Sequence, residues 1–124
     1  MPRRVATDSS ESVPLATADF QILLALCDGP RHGHAIRIDL ALRTGGEVIM
    51  GPGTLYGALK RMLNRHWIAE SGPPDPRDHD ERRRYYCLTP LGRDLALGEA
   101  RRLVRLLCYA RSQGLNLDVD ERRP

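Results

Sequence analysis

The stretch GPGTLYGALKRMLN, residues 51–64, decides the fold of this 124-residue chain. Pro52 suits the first position of a helix, because its ring fixes a helical φ and the N–H that it lacks would have no partner there. Leu55, Leu59 and Met62 then recur at spacings of four and three residues, which gathers apolar side chains on one face. The sequence therefore predicts a helix that begins at the proline, runs to the end of the stretch and buries one face.

The outer face of this helix carries a mixture of polar groups. Tyr56, Lys60 and Asn64 fall at i, i+4 and i+8 and form one ridge, beside which Gly57 and Arg61 lie on a second. A phenol, two cations, an amide and a glycine that admits a close backbone are groups that can contact a nucleic acid. An ordinary solvated helix face explains the composition equally well. The residues predicted to face outward are Thr54, Tyr56, Gly57, Lys60, Arg61 and Asn64.

Two shorter helices are predicted before this one. Thr17 can cap the first of them, and Asp19 falls in its first turn, where the helix dipole favours an anion. Gly29-Pro30 would stop this helix. The second follows the run RHGH at residues 31–34 and ends at glycines that can adopt a left-handed cap. The next four residues, EVIM at 47–50, predict a short strand.

A β-hairpin is predicted after the third helix. Its strands are WIAE, residues 67–70, and RRRYYCL, residues 82–88, and the breaker cluster SGPPDP separates them. Three helices followed by a hairpin is the order of a winged helix-turn-helix, in which the third helix enters the DNA major groove and the hairpin lies along the backbone or minor groove. The predicted fold is mainly α with a small β-hairpin.

A long helix is predicted at the C-terminal end. Thr89 can cap it and Pro90 suits its first position. A helix over residues 90–113 would be about 36 Å long, more than a small three-helix core can cover. Its apolar residues repeat at spacings of four and three, which is typical of a coiled-coil seam and predicts a two-fold homodimer. The predicted interface residues are Ala96, Ala100, Leu103, Leu107 and Ala110.

Length and composition predict one domain with flexible ends. We expect a flexible arm over residues 1–14, a winged helix-turn-helix over 15–89, a dimerisation helix over 90–113 and a flexible tail over 114–124. The net charge of +3 does not by itself require a nucleic-acid partner. The longest apolar run is too short for a membrane span, and no signal segment opens the chain. We therefore expect a cytoplasmic protein with no membrane partner.

Other classes of site find little support in the sequence. Cys27, Cys87 and Cys108 form no Cys-x-x-Cys pair, so buried free thiols are favoured over a redox sensor. His32 and His34 lack the spacing of a three- or four-ligand metal site. The chain shows neither a nucleophile with its base nor a glycine-rich phosphate loop. We expect no metal, no cofactor and no enzymatic activity.

Three blocks of sequence carry a more specific signal: RHGHAI at residues 31–36, GPGTLYGALKR at 51–61 and RRYYCLTPLG at 83–92. In this order and spacing they resemble the PadR family of bacterial transcription regulators, over residues 15–113. The chain is most similar to the short branch of the family, which has a single C-terminal dimerisation helix. The resemblance implies a homodimer that binds a palindromic operator in double-stranded DNA, usually as a repressor, and releases it in response to a small molecule or stress signal.

The resemblance also assigns roles to residues. It implies groove and phosphate contacts for Thr54, Tyr56 and Lys60, and contacts with the flanking DNA backbone for the arginines that open the second strand, Arg82, Arg83 and Arg84. The chain departs from the family at three places. His34 stands where an aromatic residue is common, His66 stands where a left-handed cap usually has glycine, and the tip of the predicted wing is acidic, with Asp75, Asp78, Asp80 and Glu81.

The alternative function is a winged-helix module that binds proteins and has no sequence-specific affinity for DNA. A neutral or acidic outer face on the third helix would favour that alternative. Lys60 and Arg61 on this face favour DNA instead.

Overall fold

The computed structural model describes residues 14–77 and 83–117. Its elements follow the predicted order of three helices, a hairpin and a long final helix. They are α1 (Thr17–Ala25), β1 (Arg31–His32), α2 (Gly33–Arg43), α3 (Pro52–Asn64), β2 (Ile68–Ser71), β3 (Tyr85–Leu88) and α4 (Pro90–Ser112). The mainly helical fold with a small antiparallel sheet confirms the predicted class. No helix in the described ranges combines the length and the apolar character that crossing a bilayer requires.

The three helices enclose one apolar core. Ile22 and Leu23 of α1, Ile36 of α2 and Leu55 and Met62 of α3 have no exposed surface. The core therefore takes the inner face of α3 that the leucine spacing predicts. Helix α1 contacts both α2 and α4, and α3 contacts strand β2 of the hairpin. This arrangement holds the outer face of α3 in a fixed position relative to the hairpin.

The first helix begins differently from the prediction. Thr17 is its first residue rather than its cap, and Ala16 holds the cap position without a side-chain hydrogen bond. The helix also ends at Ala25, earlier than Gly29-Pro30 suggests, because hydrogen bonds from Leu26 and Cys27 to carbonyls three residues back tighten the last turn.

The sheet has three antiparallel strands in the order β1-β3-β2. Strands β2 and β3 form the predicted hairpin, with Ile68 opposite Leu88 and Ser71 opposite Tyr85. Strand β1 pairs with the other edge of β3, with Arg31 opposite Tyr86. This pairing joins the start of α2 to the hairpin.

The predicted strand over residues 47–50 is wrong. Side chains from α2 and its C-terminal turn satisfy the backbone of this segment instead: Thr44 Oγ1 accepts a hydrogen bond from Val48 N at 2.9 Å, and Arg37 Nε donates one to the Met50 carbonyl at 3.1 Å. Strand β1 already pairs with the edge of β3 that β2 leaves open, so residues 47–50 cannot pair there. The second hairpin strand also begins later than predicted, at Tyr85, so that Arg83 and Arg84 lie before it; Arg82 lies outside the described residues.

The left-handed cap expected at the end of α3 is confirmed. His66 has a φ of 62°. Its N–H donates to the Leu63 carbonyl, and the N–H of Trp67 donates to the Met62 carbonyl at 3.0 Å. These two bonds are the Schellman pattern, in which glycine is the usual residue at the position of His66. A non-glycine residue in this conformation costs about 1–2 kcal/mol.

Helix α4 begins with the predicted cap. Thr89 Oγ1 accepts a hydrogen bond from Gly92 N at 3.0 Å and lies 2.6 Å from the His66 carbonyl oxygen, to which it can donate. The cap therefore ties the start of α4 to the turn that follows α3. At this junction the two backbones are in close contact. A Cβ atom on Gly92 would overlap the Trp67 carbonyl oxygen and lie 2.9 Å from its carbon.

Replacing Gly92 by alanine is expected to lower the free energy of unfolding by about 2 kcal/mol, because one of two packed backbone segments must shift. Urea denaturation at a fixed protein concentration measures the change. The matched control is Gly53→Ala near the start of α3, where a Cβ atom has nothing within 4 Å. Equal stabilities for the two variants would show that the junction tolerates a side chain.

A buried carboxylate joins α4 to the N-terminal end of the described chain. Glu99 is 5% exposed; its Oε1 accepts hydrogen bonds from Leu15 N at 3.2 Å and Arg102 Nε at 2.9 Å, and its Oε2 accepts from Arg102 Nη2 at 2.7 Å. The hydrogen bonds from the Arg102 side chain lower the pKa of Glu99 below its ordinary value, and the bond from Leu15 acts in the same direction, against the effect of burial.

Glu99→Gln is expected to destabilise the protein in a pH-dependent way. Because the folded pKa of Glu99 is lowered, its ionised form stabilises the fold above the unfolded value of about 4.3 and loses this effect as pH falls through the folded value. The variant should cost about 1.5 kcal/mol at pH 7 and less at pH 3. Urea denaturation at both pH values, with Asp94→Asn on the exposed side of α4 as control, tests the prediction. A cost that is the same at both pH values would contradict it.

Candidate nucleic-acid interface

The outer face of α3 is exposed along its whole length. Leu55, Leu59 and Met62 are at most 1% exposed, whereas the residues predicted to face outward are all exposed: Thr54, Tyr56, Gly57, Lys60, Arg61 and Asn64. The helix therefore turns the predicted ridge to solvent. Whether these residues contact DNA stays a prediction.

Arg61 differs from its neighbours on this face because an acid already pairs with it. Its Nη2 atom donates to Asp19 Oδ1 at 2.8 Å, and the Asp19 side chain is only 11% exposed. Asp19 therefore binds α3, in addition to its place in the first turn of its own helix. The two residues lie 42 positions apart, so no local pattern indicates the contact. The pairing reduces the charge that Arg61 can offer to a phosphate.

The base of the hairpin brings further cations to the same side. Arg84 Nη1 lies 3.2 Å from Glu70 Oε2 on the neighbouring strand, and both side chains are largely exposed. Surface pairs of this kind contribute little to stability and exchange readily for other partners. On the acidic tip, Asp75 pairs with Arg77 at 3.2 Å. The other predicted tip acids, Asp78, Asp80 and Glu81, lie outside the described residues.

A cavity of about 420 Å³ lies between α3, the start of α2 and the hairpin. It brings Tyr56 together with two arginines that follow it in the sequence by more than 25 positions. The lining residues are His32, Gly33, His34, Tyr56, Arg83, Arg84 and Tyr86. The structure thus gathers predicted site residues from α3 and from the hairpin on one surface.

The remaining lining residues were not predicted as part of this site. His32 caps α2, since its Nδ1 accepts a hydrogen bond from Ala35 N at 3.2 Å. Its ring is parallel to that of His34, with 6.3 Å between the ring centroids. Tyr86 is 3% exposed. Burial raises the pKa of Tyr86, and the nearby Tyr56 and Glu70 raise it further. Its phenol therefore stays protonated at neutral pH. The pairing of β1 with β3 brings the start of α2 beside Tyr86. The sequence does not indicate this pairing, so it gives no means of predicting these lining residues.

The structure argues against one residue of the predicted dimer seam on α4. Ala96 is 5% exposed and belongs to the core of its own domain, so it is not available to a second chain. The reason is that the first half of α4 packs on α1. Ala100, Leu103 and Ala110 are half-buried and Leu107 is exposed; for these four the interface stays a prediction.

The second half of α4 exposes apolar side chains beyond the predicted seam. Val104, Leu106 and Tyr109 are 58%, 55% and 63% exposed. Cys108 is also exposed, which contradicts the expected burial of the three thiols, whereas Cys27 and Cys87 are half-buried.

No group of three or more potential metal ligands occurs within residues 14–77 and 83–117.

Comparison with known proteins points to one family. The model of a family described as "Transcriptional regulator PadR-like family" matches residues 22–96. A curated protein of Streptomyces fradiae, described as an uncharacterized 37.1 kDa protein in transposon TN4556, is 39% identical over 89 residues. The match covers 72% of this chain and only 24% of that protein.

Solved structures share the fold. A PadR family transcription regulator from Clostridium difficile R20291 superimposes with a TM-score of 0.62 at 27% identity, covering 82% of this chain and all of the other. A transcriptional regulator from Clostridium thermocellum superimposes with a TM-score of 0.62 at 21% identity, and the match covers 90% of this chain and all of the other. A mutant of MarR from E. coli also gives 0.62, at 18% identity over 90% of this chain and 74% of the other, a likeness of fold alone.

Proposed function

Because the chain belongs to the PadR-like family of transcriptional regulators, we propose that it is a repressor that binds a palindromic operator in double-stranded DNA as a homodimer. In this proposal a small molecule or stress signal releases the operator, and the protein acts in the cytoplasm by binding rather than by catalysis. The observation that carries the proposal is the exposed polar ridge of α3, held outward by an inner face that is fully buried.

The ridge suits the DNA major groove. An α-helix fits this groove, where base edges present hydrogen-bond donors and acceptors. Tyr56, Lys60 and Asn64 supply a phenol, a cation and an amide on successive turns. Arg83 and Arg84 line the same cavity as Tyr56 and would contact the phosphates that flank the groove, because arginine binds phosphate through paired N–H groups.

A homodimer would cover the exposed half of α4. This helix is about 35 Å long and continues past the domain core with Val104 and Leu107 exposed. Packing against the same helix of a second copy buries this face by a two-fold operation. Two copies of α3 would then contact two half-sites related by the same symmetry, which explains a palindromic operator. In this scheme the chain divides at residue 89 into a DNA-binding domain and a dimerisation helix.

The contacts of α4 suggest how an effector would release the operator. The first half of α4 is fixed to the DNA-binding domain through Glu99 and the Thr89 cap. A change in how two α4 helices pack would therefore alter the distance between the two α3 helices. Because both must reach their half-sites together, such a change lowers affinity for the operator.

A gel shift of the purified dimer on the DNA upstream of its own gene, at two salt concentrations, tests the proposal. We expect binding at low salt that weakens as salt rises, because salt competes with the contacts to phosphates. Absence of binding at low salt, or binding that does not depend on salt, would contradict the proposal. It would favour the alternative of a protein-interaction module.

A further inference from the structure

Gly33, the first residue of α2, lies directly against the ring of Tyr56 on α3. Gly33 is buried, and a Cβ atom at this position would lie 2.5 Å from Tyr56 Oη, 2.8 Å from Cζ and 2.9 Å from Cε1. These atoms form the outer end of the ring. The phenol therefore occupies the space that any side chain on Gly33 would need.

The backbone of Gly33 does not itself require glycine. Its φ is negative, whereas the glycines with positive φ in the described chain are Gly29, Gly45, Gly46 and Gly114. Alanine is the better helix former, so glycine at this position of α2 gains nothing from helix propensity. The neighbouring ring is what excludes a larger residue.

We infer that Gly33 is a positioning residue for DNA recognition: by lacking a side chain, it holds the Tyr56 ring against the start of α2 and at the edge of the cavity that Arg83 and Arg84 line. The inference rests on the proposed function, which it extends from α3 to α2. Tyr56 is 46% exposed, so one side of its ring packs on α2 while the other is open to a ligand.

An alanine at position 33 would displace the ring rather than the helix. Helix α2 is anchored by Ile36, which has no exposed surface, and by the hydrogen bond from Ala35 N to His32. The half-exposed tyrosine can rotate about its χ angles at much lower cost. The expected change is therefore a misplaced phenol in an otherwise intact domain.

A double-mutant cycle tests whether Gly33 acts through Tyr56. Wild type, Gly33→Ala, Tyr56→Ala and the double variant are titrated against an operator fragment by fluorescence anisotropy, at a low salt concentration where all four still bind. Gly33→Ala should weaken binding roughly tenfold in the wild-type background. It should have no further effect in the Tyr56→Ala background, because the ring that it displaces is absent. Thermal unfolding should show that Gly33→Ala is at least as stable as wild type.

Two results would overturn the inference while leaving the proposed function intact. One is wild-type affinity in Gly33→Ala, and the other is the same loss in both backgrounds, which would indicate a general structural effect. A wild-type protein that binds no DNA would instead overturn the proposed function and the recognition role of Gly33 with it. Independently of DNA, NMR should show a nuclear Overhauser contact between the Gly33 α protons and the Tyr56 ring; its absence in wild type would contradict the packing.

Discussion

Replacing Leu103 and Leu107 together by glutamate is expected to convert the proposed dimer into monomers. Both residues lie on the face of α4 that we assign to the partner helix, and Leu107 is 54% exposed in the single chain. Two carboxylates on each helix would have to lose their hydration in an apolar interface beside two more from the partner. Light scattering at micromolar concentration should therefore give the mass of one chain.

The matched control for this variant is Arg105→Glu. It changes the net charge by the same two units, yet residue 105 is exposed on the side of α4 opposite to both leucines. The control should remain a dimer. Leu107→Glu alone serves as a second variant, because this exposed residue does not support the fold of its own chain and its replacement should still weaken the dimer. A stable dimer in the double-glutamate variant would show that the interface lies elsewhere.

Loss of the dimer should also remove operator binding. A monomer presents one copy of α3, so it can occupy only one half-site and loses the gain that comes from joining two sites in one molecule. We expect operator affinity to fall by roughly 100-fold or more, although circular dichroism should show an intact helical domain. Full affinity in a monomeric variant would contradict recognition of a symmetric operator.

The second large effect is expected from the ridge itself. Tyr56→Ala or Lys60→Ala should weaken operator binding by roughly 100-fold and leave the dimer intact, because both side chains are exposed on the outer face of α3 and contacts to a groove carry about 1–3 kcal/mol each. Anisotropy titrations over a range of salt concentrations would measure both affinity and its salt dependence. For Lys60→Ala the slope should also decrease by about two, one for each copy in the proposed dimer, if the ammonium contacts a phosphate.

Arg101→Ala is the control for Lys60→Ala. It removes one positive charge from an exposed position on α4, away from the proposed interface with DNA. Its affinity for the operator should stay close to that of wild type. If Arg101→Ala and Lys60→Ala weakened binding equally, general electrostatic attraction rather than a contact by α3 would explain the loss.

Local chemistry explains which elements could be predicted from sequence. Helix α3 begins at Pro52 as predicted, and α4 begins at Pro90 with the Thr89 cap, because proline and capping residues act on their own turn. Strand β1 was missed because two residues carry no periodicity and only pairing with β3 makes them a strand. The strand predicted at residues 47–50 fails for a related reason, since the side chains of Thr44 and Arg37 bind its backbone and no strand in the described part of the chain pairs with it.

The candidate site was only partly predictable for a related reason. The outward face of α3 follows from helical spacing, which the burial of Leu55 and Leu59 confirms. The pairing of Arg61 with Asp19 depends on how two distant helices pack, as does the contact of Gly33 with Tyr56. Similarly, Ala96 has the spacing of the predicted seam of α4, but it is buried in the core of its own domain.

The most direct test of the account is selection of bound fragments from a random DNA library by the full-length protein, followed by sequencing. Wild type should enrich a two-fold symmetric motif whose half-sites are centred about 10–10.5 base pairs apart, or a multiple of that distance, and Tyr56→Ala should enrich none. Enrichment of no symmetric motif by wild type, or of the same motif by Tyr56→Ala, would contradict the claim that α3 recognises the operator.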